Sequence, residues 1–221
     1  MAWLRSVNVG AASPTEHSAI PVTGIDKRPV PGPVEVRAPG PRGVGGSGLV
    51  GDAVCDLRDH GGDDQAVYAY AREDLDRWEV GLARRLPCGV FGENLTTEGL
   101  DVTAALIGEH WQVGPSLLLE VSMPRIPCRT FAGWLAIQGW VVTFTRRGAP
   151  GTYLRVLSPG PVRPGDPIRV VHRPDHFVTV GLSFRALTDS PDLLPRLRVA
   201  AALPEAAKER VRRRSPQFDD A

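Results

Sequence analysis

The chain has 221 residues, which is enough for one domain of roughly 150 residues plus a small appendage. Twenty-six Lys and Arg balance 25 Asp and Glu, and the formal net charge of +1 argues against a protein that coats nucleic acid. No apolar run approaches the length of a membrane span, and the first ten residues do not resemble a signal peptide. Three widely spaced cysteines argue against a disulfide framework, so we expect a cytoplasmic protein without a membrane segment.

Short apolar segments bounded by Gly or Pro predict most of the strands. After them, Leu75, Trp78, Leu82 and Leu86 recur at helical spacing, and residues 91–100 are predicted to form a loop. Many short strands with Gly/Pro turns favour a β-barrel or sandwich over a parallel α/β sheet. The segments predicted to be extended are 3–9, 20–25, 34–36, 49–57, 65–70, 111–113, 117–121, 152–157 and 168–171.

The composition changes near residue 178, where three short segments with helical character begin. They cover 182–187, 193–201 and 205–213, and prolines separate them. We therefore predict a mainly β domain over 1–175 with flanking short helices, followed by a small three-helix domain over 176–221. The basic run 210–215 is short, and a solvated helix end is its simplest interpretation.

Three glycine-containing stretches are candidate ligand sites. GVGGSG (43–48) matches a dinucleotide-binding pattern but precedes a strand-like segment rather than a helix, which argues against that function and favours a flexible surface loop. In DHGGDD (59–64), His60 is suited to donate a proton or bind a metal, although a turn histidine is the simpler interpretation. FGENLTTEGL (91–100) is suited to hold a phosphate or polar heterocycle, although an ordinary turn explains its composition equally well.

Cys128 differs from the other two cysteines because cationic residues flank it. Arg129 follows it directly and Arg125 precedes it by three residues, and nearby cations favour the thiolate. A thiolate is both a nucleophile and a soft metal ligand. Cys55 is predicted to lie in an apolar strand and Cys88 follows a helix, so neither has comparable surroundings.

Five segments in this order resemble the MOSC domain (molybdenum cofactor sulfurase C-terminal), and in particular its stand-alone bacterial YiiM-like branch. The resemblance covers nearly the whole chain, and the C-terminal segment resembles the three-helix extension of that branch. One departure is Asp63, where the family usually has Pro after the two glycines. The matching segments are GLVGD (48–52), DHGGDDQAVYAY (59–70), FGENLTTEGL (91–100), VSMPRIPC (121–128) and YLRVLSPGPVRPGD (153–166).

The resemblance implies a MOSC-type β-barrel that holds a molybdopterin-type molybdenum cofactor. It implies that Cys128 supplies a thiolate to molybdenum, that His60 donates protons, and that Lys27 orients substrate or protonates the departing oxygen. If so, these three side chains should line one cavity. The candidates for binding the pterin and its phosphate are Arg125, Arg155, Asn94, Gly61, Gly62 and Gly92.

The function implied is reduction of small N-hydroxylated compounds, such as N-hydroxylaminopurines, to amines. Because the chain has no cluster, flavin or nicotinamide motif, the electrons are expected from an external flavin-type reductase. The basic helix end at 210–214 is one candidate docking patch, and a homodimer is left open. Two alternatives remain, namely a sulfur- or cofactor-carrier module that uses Cys128 without turnover, and a binding protein in which Cys128 is structural.

Overall fold

The structure is a computed structural model, and it describes residues 1–214. Seven strands close into a barrel in the order β1-β12-β8-β9-β10-β6-β7, with β7 pairing back to β1. This closed barrel confirms the predicted mainly β fold class. The strands are β1 Ala2–Gly10, β2 Ser13–Pro14, β3 Val22–Thr23, β4 Lys27–Pro29, β5 Val34–Val36, β6 Val67–Ala71, β7 Leu95–Glu98, β8 His110–Val113, β9 Leu117–Pro124, β10 Thr152–Ser158, β11 Gly160–Val162 and β12 Pro167–His172.

The helices lie outside the barrel wall. Two are 3-10 helices, over Asp63–Gln65 and Pro191–Val199, and Pro195 inside the second removes a backbone donor that a continuous α-helix would use. No helix within residues 1–214 has the length and hydropathy needed to cross a membrane. The α-helices are α1 Arg72–Leu82, α2 Arg129–Leu135, α3 Trp140–Arg147, α4 Val180–Leu187 and α5 Glu205–Arg214.

The side chains inside the barrel follow the alternation of the strands. In β9, Leu117, Leu119 and Val121 are fully buried while the residues between them are partly exposed, as expected where one face of a strand packs on a core. The buried apolar core continues without a break into the C-terminal helices, which contribute Leu194, Leu197 and other side chains. The division into domains at 175/176 remains a prediction. The last seven residues of the predicted C-terminal domain, 215–221, lie outside the part of the chain that the structure describes.

Four sequence predictions about local structure were wrong. Residues 91–100 are not all loop, because β7 forms within them and pairs in parallel with β6. The 20–25 segment contains only the two-residue strand β3, and α1 ends at Leu82, before Leu86. Residues 49–57 turn away after a single bridge at Leu49, because Ala53 N–H donates to Gly10 O at 2.8 Å and holds the segment against the end of β1.

Candidate functional site

A cavity opens between β4, the loops at 18–25 and 52–61, and the start of α2. It collects residues from distant parts of the chain. Cys128, His60 and Lys27 all line this cavity, and their roles stay predictions. The other predicted site residues that line it are Gly61, Gly92, Asn94 and Arg125.

Cys128 lies directly before α2 with an extended backbone, and Pro127 keeps the chain extended between the end of β9 and this cysteine. Burial alone would raise the pKa of its thiol. A hydrogen bond with His60, the Arg125 charge and the Phe131 backbone N–H oppose burial and lower the pKa to about 6. Cys128 is therefore mostly thiolate at neutral pH, as a metal ligand or nucleophile requires.

Arg125 provides the buried positive charge beside this cysteine. Its guanidinium stacks over the rings of Phe131 at 4.2 Å and Tyr68 at 4.9 Å, and it donates to Phe91 O. Only 7% of Arg125 is exposed. Aromatic faces orient the cation without neutralising it, so its field acts on the cavity and favours anions there.

Lys27 reaches the same cavity from β4, where its backbone pairs with Gly10 at the end of β1. It is 8% exposed and forms an ion pair with Asp52, whose side chain is fully buried. Burial lowers the pKa of Lys27, and the Asp52 carboxylate partly opposes that effect. A lysine in this situation holds a proton that it can give up more readily than an exposed lysine would.

Two carboxylates of this network were not assigned from the sequence. Asp52 lines the cavity, although no local pattern within GLVGD distinguishes it as a site residue. Glu93 is completely buried and accepts hydrogen bonds from Gly89 N at 2.6 Å and Thr96 Oγ1 at 2.9 Å. Burial raises the pKa of Glu93, while those hydrogen bonds oppose the increase.

The amide of Asn94 is occupied by protein partners. Its Nδ2 donates to Asp52 Oδ2 at 2.9 Å, and its Oδ1 accepts from Tyr68 N at 3.1 Å. This arrangement supports a structural role in the cavity wall rather than the predicted direct contact with a pterin, since few of its hydrogen-bonding groups remain free.

Gly61 and Gly62 have a role in loop packing, which differs from the predicted contact with the cofactor. A Cβ on Gly61 would lie 2.8 Å from Gly46 O, and a Cβ on Gly62 would lie 2.7 Å from the Arg42 backbone. Both residues adopt positive φ, at 78° and 77°. They therefore permit the 38–48 loop to pack against the 59–64 loop, and Gly62 is not among the cavity-lining residues.

Asp63, the departure from the family pattern, fastens the same pair of loops. Its backbone N–H donates to Gly40 O and its Oδ1 accepts from Gly40 N, both at 2.9 Å. A proline could supply neither bond, because it has no N–H and no side-chain acceptor. The substitution thus fixes the loop that carries His60.

Arg155 lies outside the cavity. Its guanidinium donates to Asp64 Oδ1 at 2.5 Å, to Glu120 Oε1 at 2.7 Å and to Ala202 O at 2.7 Å. These bonds connect β10 to β9 and to the C-terminal segment. The predicted contact with a cofactor phosphate is not supported, because the guanidinium is already committed to protein acceptors.

The remaining cysteines differ from Cys128 in environment. Cys55 lies in the turning segment that lines the cavity, not in the predicted strand, and burial raises the pKa of its thiol. Cys88 follows α1, as predicted, and does not line the cavity. All three cysteines are free.

The closed barrel and the cavity that contains the Cys128 thiolate together indicate the class of the protein. The model of the MOSC domain matches residues 56–169, slightly more than half of the chain, and MOSC domains are associated with molybdenum-cofactor binding. The chain belongs to the MOSC domain family.

Individual relatives agree with this assignment. The chain is 33% identical to Bacillus subtilis YflK over 81% of this chain and 78% of that protein. It is 32% identical to Escherichia coli YiiM over 57% of each chain. It is also 30% identical to a Gibberella moniliformis protein named reductase, over 78% of this chain but only 32% of that protein.

The fold comparison extends over nearly the whole chain. The crystal structure of YiiM from Geobacillus stearothermophilus superposes with a TM-score of 0.76 at 27% identity, covering 97% of this chain and 99% of that one. YiiM from Escherichia coli gives a TM-score of 0.72 at 24% identity, covering all of this chain and 96% of that one, and supports the fold alone.

Proposed function

We propose that this protein is a molybdenum-cofactor oxidoreductase that reduces small N-hydroxylated compounds to amines. The balanced reaction takes R–NHOH, two electrons and two protons to R–NH2 and water. The bound cofactor would supply the two electrons at the metal. The protein must then bind the cofactor, orient the substrate and deliver protons.

The donor set of the cavity fits such a cofactor. Within residues 1–214, no group of three or more His, Cys, Asp or Glu side chains is arranged to hold a metal ion. A metal held through the Cys128 thiolate alone must therefore bring its other ligands with it, as molybdenum does when bound to a pterin through the cofactor's own sulfur atoms.

The charges in the cavity fit the same ligand and its substrate. Arg125 and Lys27 would attract the anionic phosphate of a pterin, and Arg125 would also hold Cys128 in its thiolate form. Lys27 and His60 are the groups able to place protons on the oxygen that leaves as water. The loop that carries His60 is held by the hydrogen bond from His60 N–H to Asp56 O at 2.9 Å. The two hydrogen bonds between Asp63 and Gly40 hold the same loop.

The observation that carries the proposal is the presence of two proton donors, His60 and Lys27, in the cavity of the Cys128 thiolate. A module that only carries sulfur or cofactor needs the thiolate but has no use for proton donors around it. The name of the fungal relative, reductase, points in the same direction. The external flavin-type electron donor is part of the proposal, because the 221-residue sequence contains no second redox motif.

Metal analysis followed by an anaerobic assay tests the proposal. Gently purified protein should contain molybdenum and pterin, and with a chemical reductant it should convert a hydroxylaminopurine to the aminopurine. Approximately stoichiometric molybdenum without reduction of any N-hydroxylated compound would favour the carrier. A Cys128→Ser variant that behaves like the wild type in both measurements would favour a binding protein with a structural cysteine.

A further inference from the structure

Lysine is rare in this chain, and one of its few copies is buried in the cavity. The sequence contains 24 arginines and only two lysines, Lys27 and Lys208. Lys208 is on α5, whereas Lys27 lies deep in the site. An arginine stays charged at any accessible pH, while a buried lysine can release a proton. The position that faces the reaction site thus carries the basic residue able to transfer a proton.

The partner of Lys27 is held from several directions. Asp52 Oδ1 accepts from Lys27 Nζ and from Gly10 N, the latter at 2.7 Å, and Asp52 Oδ2 accepts from Asn94 Nδ2 at 2.9 Å. Gly10 is also the residue that pairs with Lys27 in the β1–β4 ladder. The strand end therefore sets the position of the ammonium and of its carboxylate together.

Asn94 fixes the orientation of that carboxylate. Its Oδ1 accepts from Tyr68 N at 3.1 Å, so the amide cannot rotate without losing a bond to β6. With Asn94 Nδ2 on one oxygen and Gly10 N on the other, Asp52 has a defined plane and directs one oxygen at Lys27. The geometry is that of a prearranged acceptor, which holds a flexible side chain in one conformation.

We infer that Asp52 is a positioning residue that holds the Lys27 ammonium in the cavity, and that Asn94 in turn orients Asp52. The kinetic consequence rests on the proposed reduction, but the pairing can be measured on cofactor-free protein. Asp52 acts only through Lys27, and it does not contact the reacting atoms.

The other charged groups around Lys27 do not replace Asp52. Arg125 lowers the pKa of Lys27, as burial does, and Glu93 contributes a weaker attraction than Asp52. Cys55 is a further neighbour, with a thiol whose pKa is raised by burial, and it is uncharged at neutral pH. Removing the Asp52 charge should therefore move the pKa of Lys27 further down.

Two lysines make this measurable by NMR. Protein labelled with 13C at the lysine side chain gives two ε-carbon signals, and a Lys27→Met variant assigns them. In Asp52→Asn, the titration midpoint of Lys27 should fall by about 1–3 pH units relative to the wild type. Asp26→Asn is the matched control, because Asp26 precedes Lys27 in the chain but bonds to Arg28 at 2.8 Å. An unchanged midpoint in Asp52→Asn would overturn the inference.

A double-substitution cycle tests the pairing without depending on one variant. Lys27→Met leaves the Asp52 carboxylate buried without its cation, so it should unfold at a lower urea concentration than Lys27→Met/Asp52→Asn. A double variant no more stable than Lys27→Met would overturn the pairing, and this comparison remains valid if Asp52→Asn alone fails to fold.

Turnover completes the test and separates this inference from the proposed function. Asp52→Asn should reduce turnover at least tenfold in the wild-type background and not measurably in the Lys27→Met background. An Asp52→Asn effect that persists in the Lys27→Met background contradicts action through Lys27. Absence of turnover in wild-type protein loaded with molybdenum would refute the proposed function alone, because the NMR and urea results would still stand.

Discussion

Two arginines from the matched segments show how differently the same side chain is used in two regions of the molecule. Arg125 stacks on Phe131 and Tyr68 beside Cys128, and within the described residues it has no carboxylate partner. Arg155 bonds to Asp64, Glu120 and Ala202 O on the outside of β9 and β10. Both are mostly removed from water, yet only Arg125 keeps an uncompensated charge.

The difference shows what makes a charge available for function. The positive charge of Arg125 favours negative charge in the cavity, and the thiolate of Cys128 supplies part of it. The charge of Arg155 is neutralised by carboxylates of the protein, so its effect is to connect strands and the C-terminal segment.

The largest expected effect is the loss of function in Cys128→Ala. Because the thiolate is the proposed protein ligand to the metal, the variant should lose molybdenum and all detectable reduction, while its thermal unfolding changes little. Elemental analysis and the anaerobic assay measure this. Cys55→Ala and Cys88→Ala should retain activity, and equal loss in all three variants would indicate general destabilisation instead.

His60→Ala should lower turnover by about 100-fold, near the lower end of what a positioned general acid contributes. The histidine lies on a loop whose shape is set by Asp63 and the two glycines, so the fold should be retained. The measurement is turnover with a chemical reductant, accompanied by molybdenum content to show that the cofactor is still bound. Normal turnover in His60→Ala would remove this residue from the mechanism.

Thiol reactivity distinguishes the three cysteines in cofactor-free protein. Alkylation of Cys128 by iodoacetamide should rise with pH and reach half its maximal rate near pH 6, because thiolate is the reactive form. Cys55 should react only at higher pH, since burial raises the pKa of its thiol. A variant with only Cys128 retained gives the profile, and a midpoint near the ordinary value of about 8.5 would contradict the described environment.

The effect of His60 on this profile sharpens the comparison with Arg125. Replacing His60 by Ala removes the hydrogen bond to the thiolate, so the midpoint for Cys128 should move upward, while Arg125 and the Phe131 backbone N–H continue to oppose the effect of burial. A midpoint unchanged by His60→Ala would show that the guanidinium alone sets the ionisation of Cys128.

The sequence could predict the residues at the centre of the site better than those around it. Cys128 was distinguishable because arginines flank it in the chain, and the five ordered motifs predicted the closed barrel. Asp52 was hidden because its partners, Lys27 and Asn94, are 25 and 42 residues away, and no local pattern marks an ion pair across such distances. The roles of the glycines were hidden for the same reason, since their neighbours are other loops.

Arg155 shows the opposite failure. A guanidinium in a matched motif is well suited to phosphate, so the residue type alone predicted a cofactor contact. The structure supplies three protein acceptors within 2.7 Å instead, two of them contributed by the 3-10 turn at 63–65 and by β9. Whether a cation is free or committed is a property of the fold, and composition does not reveal it.

Arg155→Met therefore has the smallest expected effect on the chemistry. The substitution keeps much of the apolar stem but removes the bonds to Asp64 and Glu120, which are partly exposed to solvent. We expect a loss of about 1–2 kcal/mol in the free energy of unfolding, measured by urea titration, because charged hydrogen bonds of this kind contribute on that order. Turnover should stay within twofold of the wild type, and the Cys128 alkylation midpoint should not move.

Glu120→Gln is the matched control, since it weakens the same cluster from the other side and should destabilise the protein without affecting reduction. If Arg155→Met instead reduced molybdenum-pterin binding tenfold at unchanged stability, the guanidinium would be a cofactor ligand after all, and the distinction between a free and a committed arginine would fail at this position.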